Sequence, residues 1–126
     1  MVAALNVAGV EPGEIDYINL HGTGTMSNDS AESRAVAALF GTAIAGSSTK
    51  GATGHALGAA GALEAVICAL ALQNDFAPAG INTRNLDPAL SVQYLLKNRP
   101  GRIARVLSNS FGFGGTNCSL VLGRAG

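Results

Sequence analysis

The run Ala56-Leu-Gly-Ala-Ala-Gly-Ala-Leu-Glu-Ala-Val-Ile-Cys-Ala-Leu-Ala-Leu72 is apolar nearly all the way round a helix, the mark of a helix enclosed by a core or a membrane. Its one charge, Glu64, decides between the two. A carboxylate at the centre, in a run short of the roughly 20 apolar residues that a bilayer span needs, predicts a central helix buried in a protein core. The helix is expected to open at Thr53 or Gly54 and to reach about Asn74, its Gly/Ala half letting a neighbouring backbone come close.

Upstream, Val2 to Ala8 reads as the end of a helix stopped by Gly9, and Ile15-Asp-Tyr-Ile-Asn-Leu20 as a strand, with Pro12 and Gly13 in the turn between. Opening on the tail of a helix predicts that further residues precede Met1. Asp29 or Ser30 is expected to cap a helix through Leu39, closed by Gly41, with Glu32 in its first turn where the helix dipole favours an acid. Ile44 to Ser47 makes a short strand. Beyond the long helix, Pro78 to Leu90 reads as an extended loop and Val92 to Leu95 as an edge strand. Ala104 to Ser110 and Thr116 to Leu122 read as an antiparallel hairpin joined by Phe111-Gly-Phe-Gly-Gly115. Strands alternating with helices and ending in a hairpin indicate an α/β fold on a mixed sheet.

Eight basic and eight acidic residues cancel and no long Lys/Arg cluster occurs, so the chain has no footprint for nucleic acid or an anionic membrane. A charged fraction of 13% beside 48% apolar residues and seventeen glycines predicts tightly packed elements and large protein contacts. At 126 residues the chain fits one domain. Cys68 and Cys118 have neither the spacing nor the setting of a metal site and read as buried free thiols. With no basic leader before an apolar stretch, a reducing cytoplasm is the expected compartment.

The two histidines both follow strand-like runs, where chemistry sits in α/β proteins: His21 in His21-Gly-Thr-Gly-Thr25 and His55 in Gly51-Ala-Thr-Gly-His-Ala-Leu-Gly-Ala-Ala-Gly61. An imidazole at a helix N-terminus has its charged form disfavoured, so His55 should be a neutral donor of one N–H to a developing oxyanion, with His21 offering a second. Lys50 reads either as a solvated surface residue or as a cation fixed by Glu32 that tunes the imidazoles. Thr23 and Thr25 either hydrogen-bond an amide-bearing ligand arm or cap their loop. Phe111 and Phe113 read as plugs of the hairpin or as a gate over an apolar tunnel. Gly41-Thr-Ala-Ile-Ala-Gly46 has the glycine spacing of a phosphate loop but continues Ser47-Ser48 where Lys and Ser/Thr are required, and is rejected.

Three stretches together carry a family resemblance: Glu14-Ile-Asp-Tyr-Ile-Asn-Leu-His-Gly-Thr-Gly-Thr25, Ser48-Thr-Lys-Gly-Ala-Thr-Gly-His-Ala-Leu-Gly-Ala-Ala-Gly61 and Ser108-Asn-Ser-Phe-Gly-Phe-Gly-Gly-Thr-Asn117. In order and spacing the chain resembles, over nearly its whole length, the C-terminal half of a β-ketoacyl-acyl-carrier-protein synthase, an elongating condensing enzyme of fatty acid and polyketide synthesis. The resemblance implies a thiolase-like half, a layered mixed sheet flanked by helices with a central buried helix, in a subunit that is usually dimeric. It implies that residues 1–126 form the C-terminal domain, that acyl carrier protein and the missing N-terminal half are partners, and that no separate cofactor is needed because substrates ride on phosphopantetheine. His21 and His55 would bind the thioester oxygen in decarboxylation and condensation. Lys50 and Glu32 would form the supporting ion pair, Thr23 and Thr25 would hold the phosphopantetheine arm, and Phe113 would gate the acyl pocket.

One departure from the family is large: its nucleophilic cysteine comes from the other half, and neither Cys68 nor Cys118 matches it, so the chain alone is expected to be inert. Met26 also stands where many relatives have proline. A degradative thiolase would carry a catalytic cysteine just before the glycine loop, where this chain has Asn109-Ser110. A non-catalytic partner subunit of the chain-length-factor kind has no need of both histidines and Lys50.

Overall fold

The computed structural model describes residues 1–125. In chain order its elements are α1 (Val2–Ala8), β1 (Tyr17–Asn19), α2 (Met26–Phe40), β2 (Ala45–Ser47), α3 (Lys50–Thr53), α4 (Ala60–Asn74), β3 (Phe76–Ala77), β4 (Gln93–Tyr94), β5 (Arg99–Pro100), β6 (Arg105–Phe111) and β7 (Asn117–Gly123). Short 3₁₀ turns at Pro12–Glu14, Leu57–Ala59 and Phe113–Gly115 link them. The main sheet runs β4-β2-β1-β6-β7; the first four strands are parallel and β7 returns antiparallel to β6. This is the mixed sheet flanked by helices that the sequence implies. A second, two-stranded sheet pairs β3 with β5.

Alternation along the strands divides the core in two. Tyr17, Ala45 and Val106 face α4 and pack on its Cys68 and Leu72. Ile18 and Leu107, one residue on, face the opposite side with Leu20 and pack on Leu5 of α1 and Val36 of α2. Each such aliphatic side chain taken fully out of water contributes roughly 1.5–3 kcal/mol, so both layers are needed to offset the chain entropy of so small a domain. Continuing the alternation, Ser108 and Ser110 of β6 look toward α4 while Asn109 looks toward α2.

Four expectations need correcting. The long helix does not open at Thr53 or Gly54: α3 ends there, Gly54 takes φ 73°, and α4 begins only at Ala60 after the 3₁₀ turn. Leu57 in that turn is itself at φ 50°, a left-handed conformation that L side chains rarely adopt. Nor is α4 buried all round. It buries Ala60, Glu64, Cys68, Ala71 and Leu72 but leaves Leu63, Val66 and Leu70 at 41%, 59% and 48% exposure, because only one of its faces meets the sheet. Helix α2 starts at Met26, not at Asp29 or Ser30, since Thr25 already takes the extended conformation of an N-cap. Finally, Cys118 is exposed, for β7 is an edge strand with a neighbour on one side; Cys68 is buried as expected.

Candidate active site

Three parallel strands deliver the site, each at its C-terminal end, the place where α/β sheets present chemistry. His21 stands two residues beyond β1, Lys50 opens α3 three residues beyond β2, and Asn109, Ser110 and Phe111 close β6. The rings of His21 and His55 meet edge to face with centroids 5.5 Å apart, and Phe111 lies tilted against His21 at the same 5.5 Å.

Hydrogen bonds fix the protonation pattern of both histidines. The Lys50 ammonium lies 3.3 Å from His21 Nδ1; an ammonium only donates, so Nδ1 accepts and the proton of the neutral ring sits on Nε2. At His55 the Leu57 backbone N–H donates to Nδ1 at 3.2 Å, which again leaves Nε2 as the N–H donor. The strained Leu57 therefore has a consequence, since its backbone selects the tautomer of His55. Burial first, then the charge of Lys50, then His55, push the His21 pKa down to about 4, so its ring is neutral at neutral pH.

The ion pair is not the expected one. Lys50 Nζ bonds Glu64 Oε1, both residues being buried, and Ser110 Oγ donates to the other oxygen of Glu64 at 3.3 Å. Glu32 instead accepts the backbone N–H groups of His21 and Gly22, each at 2.9 Å, and the side-chain amide of Asn109 at 3.1 Å. Burial raises its pKa while those three donors pull the other way. The two carboxylates approach from opposite faces of the sheet: Glu64 from α4 orients the His21 ring through Lys50, and Glu32 from α2 holds the His21 backbone.

A cavity of about 470 Å³ opens beside these groups, lined by Thr23, Lys50 and His55 together with Met26, Asp87 and Tyr94 among others. The Thr23 and Thr25 hydroxyls bond each other at 2.9 Å and remain exposed. Phe111 is drawn against His21, whereas Phe113 stands fully in solvent on the hairpin tip. Among the described residues there is no cluster of three metal-ligating side chains.

Glu64, Asn109, Ser110 and Tyr94 belong to this constellation and were not singled out from the sequence as site residues. Glu64 had a signal. A lone carboxylate on an apolar helix must find a buried partner, and Lys50 is the cation beside the neighbouring histidine motif.

Residues 1–84 match the family described as "Beta-ketoacyl synthase, C-terminal domain". The chain is 48% identical over 128 residues to a 3-oxoacyl-[acyl-carrier-protein] synthase 2 of Coxiella burnetii, covering 98% of this chain and 31% of that protein. It is 45% identical to a mitochondrial 3-oxoacyl-[acyl-carrier-protein] synthase of Arabidopsis thaliana, covering 96% of this chain and 28% of the relative. It thus spans about a third of the length of these curated relatives. Among solved structures it superposes with a TM-score of 0.95 and 38% identity on a β-ketoacyl synthase from Burkholderia phymatum, covering 99% of this chain and 31% of the other. A ketosynthase in complex with its chain length factor from Xenorhabdus doucetiae gives a TM-score of 0.93 at 49% identity, covering 99% and 32%. The family match over residues 1–84, with these identities and superpositions, places the chain: it belongs to the β-ketoacyl synthase family, in the C-terminal part of that fold.

Proposed function

We infer that this chain supplies the oxyanion-binding half of a decarboxylating condensation between an acyl thioester and malonyl-acyl carrier protein. The contact between His21 and His55, each with Nδ1 occupied as an acceptor, carries the reading. In malonyl decarboxylation the C–CO₂ bond breaks and its electron pair moves into the thioester enolate. Two neutral Nε2–H donors stabilise the oxygen where that charge collects. The enolate carbon then bonds the acyl carbon, and the thiolate that carried the acyl group leaves. Lys50, tied to Glu64, keeps the His21 proton on Nε2 without giving up its own. Thr23 and Thr25 hold the phosphopantetheine arm, and Phe111 and Phe113 line and gate the acyl path. No separate cofactor takes part.

The nucleophile, the N-terminal half that bears it, acyl carrier protein and a second subunit are the partners this reading requires, and residues 1–126 by themselves are inert. The free thiols of Cys68 and Cys118 suit a reducing cytoplasm. Malonyl-carrier-protein decarboxylation by the chain together with a nucleophile-bearing half tests it. H21A and H55A should each lower the rate by about 10²–10³-fold, the loss typical of one oxyanion donor. Unchanged rates in both would favour the chain-length-factor role.

A further inference from the structure

Glu32 reaches across to β6 for its third hydrogen bond, and the chain of contacts continues beyond it. Asn109 is wholly buried; its Nδ2 donates to Glu32 Oε1 at 3.1 Å and its Oδ1 accepts from Ser119 Oγ at 2.8 Å. Asn109 and Ser119 are direct partners in the β6–β7 ladder. A carboxylate oxygen that already accepts from His21 N–H needs a donor on its other side, so the amide must present nitrogen to Glu32 and oxygen to Ser119. With the amide set that way round by Glu32, the Ser119 hydroxyl is the donor that satisfies its Oδ1. Without that hydroxyl Oδ1 is left a buried acceptor with no donor, and the amide that serves Glu32 is no longer anchored at its far end.

We propose that Ser119, on the edge strand and outside every motif that marks the site, is a positioning residue: through Asn109 and Glu32 it holds the backbone of the His21 loop. The significance of that loop rests on the function proposed above; the geometry does not. The other charged group facing Glu32 is Asp29, one turn earlier on α2, whose negative charge works against ionisation of Glu32. The remaining polar groups against it are the His21 and Gly22 N–H groups and the Asn109 amide.

Ser119→Thr and Ser119→Val form the test, because they share a shape that suits a strand and differ in the hydroxyl. The 126-residue chain is labelled with 13Cδ-glutamate, the Glu32 signal is identified by its absence from E32Q, and its titration is followed without any substrate. The threonine chain should keep the wild-type midpoint and the valine chain should titrate at higher pH, having lost the oriented donor. Ser119→Ala gives the same comparison should the valine chain lose its native dispersion. Coincident midpoints for the variants with and without the hydroxyl would overturn the proposal, whatever the decarboxylation assay returns.

Discussion

Replacing Glu64 by leucine should be among the most damaging single changes in the molecule, and a double-mutant cycle converts that into a test of which carboxylate serves Lys50. Lys50 and Glu64 are 8% and 1% exposed. E64L strands the ammonium in a buried site with the neutral His21 Nδ1 as its remaining acceptor, and removing one partner of such a pair costs about 3–5 kcal/mol. For a domain of this size, at roughly 4 °C per kcal/mol, that lowers Tm by roughly 12–20 °C. Replacing both, K50M with E64L, removes the charge with its need for a partner, and such swaps are often neutral or better, so stability should return to within about 1 kcal/mol of wild type. The coupling between positions 50 and 64 should then exceed about 2 kcal/mol. Between 50 and 32 it should be the smaller of the two, since these touch His21 at its ring and its backbone respectively and not each other. Urea unfolding followed by circular dichroism gives every corner of both cycles. A 50–32 coupling larger than the 50–64 coupling would refute the pairing seen here.

His21 should titrate with a midpoint near 4, read from its Cε1–H resonance, and K50M should raise that midpoint because the lysine charge is the second cause of the depression after burial. The sign for stability follows: above the ordinary histidine value of about 6.5 the residue contributes no pH dependence. Between there and about 4 the unfolded chain takes a proton that the folded one refuses, so stability falls as pH drops, then levels off. A midpoint at the ordinary value would show the ring to be solvated. G51A should destabilise by about 1–3 kcal/mol, because a Cβ there would lie 2.1 Å from the Ile81 carbonyl oxygen; an unchanged urea midpoint would contradict this. The exposed stripe Leu63, Val66, Leu70 should drive self-association of the isolated chain. Sedimentation should show oligomers that L63E/L70E returns to monomer, and a wild-type monomer would count against it.

Much of the architecture could be read from pattern. The β6–β7 hairpin follows from two strand runs around the Phe111–Gly115 glycines, and β1 from the strand-like run Ile15 to Leu20. Positions set by distant contacts were less legible. The start of α4 depends on Gly54 and Leu57 taking left-handed conformations, which no periodicity reveals, and β3 with β5 are two residues each, paired across an intervening strand. The reading of Lys50 as fixed by Glu32 left Glu64 without a partner, although a lone carboxylate within an apolar helix needs one, and it is Glu64 that Lys50 meets. Asn109 carried no such signal, being flanked by Ser108 and Ser110, and its partners Glu32, Ser119 and Met1 lie 77, 10 and 108 positions away.

Consecutive residues of β6 brace the two acids from opposite sides, Asn109 reaching Glu32 and Ser110 reaching Glu64. Inserting one residue within β6 would therefore turn each brace away from its acid at a stroke, since a one-residue slip sends every side chain to the other face. The same insertion between Gly112 and Thr116 would lengthen only the turn. Natural or engineered variation in what the hairpin admits is thus confined to its tip, while the strand beneath behaves as a ratchet with a single working notch.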